Sequence, residues 1–132
     1  MEGALADYDA AVAVAETRGS ETVREIFRHN ERFHAAIVGA SQHTRLQQLI
    51  ARTVSVPMVY RSFQSYARED FRRSSDFHHL ILGAITAGDA ARAGRLMTEH
   101  ILLGRDSLFV NEAQPMTGDG SGRQPRERLT WT

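Results

Sequence analysis

At 132 residues the chain is the size of one domain, and 42% hydrophobic with 24% charged residues is enough for a modest core in a soluble protein. Sixteen basic residues balance sixteen acidic ones, which argues against a surface dedicated to nucleic acid, and the lack of cysteine excludes disulfides, thiolate nucleophiles and cysteine-ligated zinc. No uncharged apolar run approaches the roughly 18 residues of a membrane span. The start, MEGALADYDA, is acidic and has no Lys or Arg, so it is not a secretory signal.

The first element is an alanine-rich helix from Leu5 to about Thr17, with Leu5, Tyr8, Val12 and Ala15 as its stripe. Gly19 breaks it, and Ser20 with Glu21 starts a second helix that runs to Ala40. Ser41 to Thr44 forms a short connection, with Thr44 or Ser41 as the next cap. A third helix starts near Arg45 with Leu46, Ile50 and Val54 on one face, and Pro57 forces a kink or a restart within it. A turn is expected between Ser65 and Asp70. The fourth helix, about Asp70 to Ala87, carries Phe71, His78, Ile81, Leu82 and Ile85 on one side. Gly88 and Asp89 then give a stop and a new cap. The fifth helix, Ala90 to about Val110, aligns Ala93, Leu96, Met97, His100, Leu103 and Ser107, and the short link makes the last two helices antiparallel. The segment after Asn111, rich in Gly, Pro and charge, reads as disordered, and Trp131 stands apart in it. No strand alternation is present, so the fold class is an all-α antiparallel helical bundle.

The same periodicity sorts the six histidines. His34 shares a face with Val23, Phe27, Asn30 and Ile37, since residues four apart stack on a helix. His78 lies in the stripe of Ile81 and Leu82, and His100 in that of Leu96, Met97 and Leu103. His79 turns about 100° away from His78, and His29 and His43 fall on a flank and a loop as surface residues. A lone core histidine is usually satisfied by a protein partner. Three on the apolar seams of three helices, with Asn30 on the first, are explained together by one metal ion. Metal sites in bundles are built from facing helices, and imidazole is the commonest ligand.

The stretches NERFHAAIVGASQHTRLQQL and HHLILGAITAGDAARAGRLMTEHI resemble motifs of the FCD domain, the effector-binding domain of many GntR-family bacterial transcription regulators. The resemblance covers about Ala11 to Phe109. It implies that Asn30, His34, His78 and His100 hold a divalent metal (zinc first, nickel or manganese as alternatives) and that the metal with nearby polar groups binds a small organic acid. Many members have Asp where this chain has Asn30. A neutral amide donates less to a cation than a carboxylate, but it leaves the site one charge more positive toward an anion. In the family an N-terminal winged helix-turn-helix binds DNA as a dimer. Neither that domain nor a full opening helix of the bundle is legible here, so the chain is expected to be an effector half truncated at its N-terminus. On this reading residues 1–111 are the ligand-binding domain and 112–132 the tail. The protein is cytoplasmic, a homo-oligomer, not an enzyme, and does not bind DNA by itself.

Arg61 and Arg45 are candidates for gripping the ligand carboxylate, since a guanidinium can do so with two parallel hydrogen bonds. Arg61 would follow the interior side of the kinked helix after Leu46, Ile50 and Val54. Arg72 and Arg73 read as a solvated face. Two other functions stay open: a metal-dependent hydrolase-like enzyme, for which no core carboxylate offers a general base, and a plain helical interaction module whose histidines bond internally.

Overall fold

The computed structural model describes residues 1–14, 20–54 and 56–112, with only the backbone for 20, 56 and 108–112. Every regular element among the described residues is a helix: α1 (Glu2–Val14), α2 (Ser20–Ala40), α3 (Thr44–Thr53), α4 (Val56–Ser65), α5 (Arg68–Thr86) and α6 (Ala90–Glu112). The expected end of the first helix near Thr17, the Gly19 break and the tail beyond Glu112 lie outside the described residues.

Punctuation in the sequence accounts for most boundaries. Pro57 marks a restart: α3 ends into the extended Val54, and α4 takes Pro57 into its first turn, where no N–H is needed. Gly88 has φ of 73°, the left-handed conformation that closes a helix, and the Asp89 carboxylate accepts the Arg92 N–H at 2.9 Å. The cap of α3 differs from expectation. His43, not Ser41 or Thr44, accepts the Leu46 N–H through Nδ1 at 3.1 Å, while the Ser41 hydroxyl donates to the Val38 carbonyl at 2.7 Å. The turn before α5 is Tyr66–Ala67, and Asp70 accepts the Ala67 N–H at 2.7 Å, which starts α5 two residues early.

α1 packs against both α2 and α5, α5 against α6, and α4 against α6 and α2. Between them lies an aromatic core of Tyr8, Ala11, Ile26, Phe27, Phe63, Tyr66 and Phe71. Edge-to-face contacts such as Phe27–Phe63 at 5.6 Å and Phe63–Phe71 at 5.8 Å fix the rings. Burial of each such side chain contributes about 1.5–3 kcal/mol. Asp9 latches α1 to α5 by accepting from the Ser75 hydroxyl and from His79 Nε2, the latter at 2.8 Å.

α3 departs from expectation. Its apolar face was expected to join the bundle, yet no α3 residue is buried, and Leu46, Leu49 and Val54 are 42%, 54% and 48% exposed. Its stripe is amphipathic, but no described helix packs closely against it. Arg45 is therefore exposed, and so is Arg61 on α4.

Candidate metal centre

α2, α5 and α6 each deliver one histidine to a common point. On α2 the inward face is Ile26, Phe27, Asn30 and Phe33, with His34 half-buried at its edge. On α5 it is Phe71, Ser74, His78, Ile81 and Ala84. On α6 the expected stripe holds, but every described member, His100 included, is only half-buried. The site thus has a closed side at His78, which is fully buried, and a more open side at His100.

His100 Nε2 stands 3.3 Å from His78 Nε2 and 3.3 Å from His34 Nε2. One nitrogen from each ring lies within 4.8 Å of the other two. Two nitrogens bound to one tetrahedral zinc at 2.0–2.1 Å lie about 3.3–3.4 Å apart, so both measured edges match that geometry. Protons alone do not satisfy the arrangement. A neutral imidazole Nε2 offers either one N–H or one lone pair, so His100 Nε2 completes one good hydrogen bond at most, and it faces two nitrogens.

The rings are held by packing. His78 lies 4.4 Å from Phe33 and 4.7 Å, edge-on, from Tyr8, while His34 and His100 stack at 5.3 Å. Burial keeps all three neutral. The pKa of His34 is lowered to about 4 by burial; that of His100 to about 3 by burial, then by nearby His34; that of His78 to about 2 by burial, then by His100, His34 and His79. Neutral imidazole is the metal-binding form.

Asn30, one turn before His34, is 5% exposed, and its Oδ1 has no hydrogen-bond partner. A buried carbonyl oxygen without a donor costs roughly 1–3 kcal/mol; a cation would relieve it. Three convergent imidazole nitrogens suit zinc and its neighbours. The residues therefore fit a divalent metal held by His34, His78 and His100.

Further polar groups, not distinguished by their sequence pattern, line the site. Tyr8 and Ser74 are buried beside His78 with their hydroxyls facing each other, and His78 Nδ1 has no partner. Ser74 is the exception, since it precedes His78 by one turn in the same stripe. His29, read as a surface residue, is half-buried with an unpartnered Nδ1, whereas His43 is exposed as read. Beside His100 a shallow crevice, open to solvent, runs between the end of α4, α5 and α6, with Tyr66, Asp70, Arg73 and Ser74 on its walls. Neither Arg61 nor Arg45 lines it.

No curated protein and no solved structure matches this chain. A family model for the FCD domain matches residues 1–103, a span that takes in α1 and so reaches further than the Ala11 boundary suggested by the motifs. With all three histidines inside that match, the chain belongs to the FCD domain family, the C-terminal effector-binding domain of GntR-family regulators.

Proposed function

We propose that this FCD domain is a metal-dependent sensor of a small organic acid within a GntR-type transcription regulator. The observation that carries the reading is the single Nε2 of His100 facing the Nε2 atoms of both His34 and His78 at 3.3 Å, a contact that one cation satisfies and protons do not. Zinc is the metal proposed first, with nickel or manganese as alternatives. When bound, the metal supplies a Lewis-acidic position for a carboxylate oxygen. His34, His78 and His100 would hold it, and Asn30 would add its amide oxygen while leaving the site cationic toward an anion.

The fold supplies a route from site to output. α2 meets α5 and α6 chiefly through α1, α4 and side chains rather than by close backbone packing. A group joining His34 to His78 and His100 therefore ties α2 to the α5–α6 pair directly. A homo-oligomer belongs to the same reading, because much of the apolar face of α3, Leu46 and Leu49 among it, is left exposed by the described residues. So does a cytoplasmic location; no helix among the described residues is long and apolar enough to cross a membrane. DNA contact would be made outside residues 1–103.

Elemental analysis of protein purified without a polyhistidine tag tests the metal. About one divalent ion per chain, lost on His100→Ala, is expected; a metal-free chain that takes up none would favour the interaction module. The hydrolase alternative is weaker, since FCD domains belong to transcription regulators and no carboxylate is buried among the described residues. Turnover assays on the metal-loaded protein separate the two.

A further inference from the structure

The crevice beside His100 has a second polar end. Arg73 stands on its wall, with Ser74 and Phe77 between it and the histidines along α5. Arg73 and His78 are five positions apart on α5, about 7–8 Å of helix axis at 1.5 Å per residue. The Arg73 side chain is 44% exposed and pairs with Asp70, whose side chain is 18% exposed. Asp70 is itself held, because its other oxygen accepts the Ala67 N–H at 2.7 Å and so belongs to the start of α5.

That arrangement differs from a mobile surface ion pair. Asp70 engages one guanidinium nitrogen of Arg73, and a guanidinium has five N–H donors in a fixed plane. The remaining donors can meet a second carboxylate while Asp70 keeps the group at the crevice. Ser74 lies between the two ends, 5% exposed, with its hydroxyl beside that of Tyr8. Gly104 on the opposite wall leaves room for the Tyr66 hydroxyl, which lies 2.9 Å from where a Cβ would stand. The crevice thus sets a few polar groups among Phe77 and Leu103, with a guanidinium at the end away from His100.

Resting on the metal-dependent reading above, we infer that the effector is a short dicarboxylate, with one carboxylate at the His34–His78–His100 centre and the other on Arg73, whose orientation Asp70 fixes. Ser74 serves the middle of the ligand, where a hydroxyl or carbonyl would find a partner. A monocarboxylate of the same length leaves Arg73 without its anion and places an apolar end against the charged rim.

Succinate and butyrate, four-carbon acids that differ by one carboxylate, are the probes. Calorimetry measures zinc binding first, then titration of each acid into the zinc-loaded full chain. Wild type should bind succinate at least about tenfold more tightly than butyrate, the scale of one charge-assisted contact. Arg73→Ala should bring that ratio to within about twofold while leaving zinc affinity unchanged, and Arg73→Lys should keep part of it. An unchanged zinc isotherm shows that each variant is folded at the site. If zinc binds and the ratio is the same in wild type and Arg73→Ala, this inference fails and the metal reading stands. If the wild type takes up no zinc, both fail.

Discussion

Nε2 of His34 and Nε2 of His100 stand 3.3 Å apart although the residues are separated by 66 positions in sequence. The contact joins α2, near the start of the fold, to α6, at its end, without close backbone packing between the two helices. Whatever holds these two nitrogens together therefore adds directly to the cohesion of the bundle.

The first prediction follows from that linkage. A ligand that binds only the folded state stabilises it by about 2.7 kcal/mol at a hundredfold excess over its dissociation constant. For a chain of this size that corresponds to a Tm rise of order 10 °C. Zinc added to metal-free protein should produce it, and His34→Ala or His100→Ala should abolish it. A Tm indifferent to zinc at neutral pH contradicts the metal centre.

Acid should act on the same three rings. In the folded protein burial lowers their pKa values to about 4 for His34, about 3 for His100 and about 2 for His78. Each lies below the ordinary value near 6.5, so the unfolded chain takes up protons that the folded chain refuses. The stability they leave intact is complete above pH 6.5 and falls as pH drops from there toward the folded values. Denaturation curves on metal-free protein should weaken steadily from pH 7 to pH 5. Zinc should be released in the same window, because protonated imidazole cannot ligate. Constant stability across that window would show that the rings are solvated.

Asn30→Asp tests the fourth donor. Placed beside a cation, the new carboxylate should tighten zinc binding and weaken a carboxylate ligand, since the metal then presents less positive charge. Without a metal, Asp at this buried position is an unpaired charge and should destabilise the fold. Calorimetric titration of zinc and then succinate into both proteins reads the opposite signs. Unchanged or weaker zinc binding in a folded variant removes Asn30 from the donor set.

Gly104→Ala addresses the crevice. Its Cβ would stand 2.9 Å from the Tyr66 hydroxyl, so the ring must shift. The helix gains about 0.5–1 kcal/mol from replacing glycine, which offsets part of the crowding. Net stability should change by less than about 1 kcal/mol, while succinate binding falls and zinc binding holds. Undiminished succinate affinity would place the ligand elsewhere.

Helix punctuation was the most legible feature of the sequence. Pro57, Gly88 and Asp89 act through their own backbones or side chains, so their effects are local, and the helices begin and end close to where these residues require. The inward orientation of His34, His78 and His100 was legible for a similar reason, since a 3.6-residue period fixes the angle of a side chain about its own helix axis. Local rules failed where the choice was between near-equivalent groups. Ser41, His43 and Thr44 all offer an acceptor, and the path of the chain out of α2 selected the imidazole.

Tertiary structure decided which helices face one another and at what height. Periodicity placed Leu46, Ile50 and Val54 on one stripe, but being apolar on one side does not supply a helix to cover it, and α3 is left exposed. Arg61 was expected inside by continuing that stripe and is exposed with it, whereas Arg73, read as a solvated face, borders the crevice because the end of α4 and α6 close over that part of α5. The convergence of the three histidines is of the same kind. It depends on the relative rotation and rise of α2, α5 and α6, which the aromatic core sets through contacts between residues far apart in the chain.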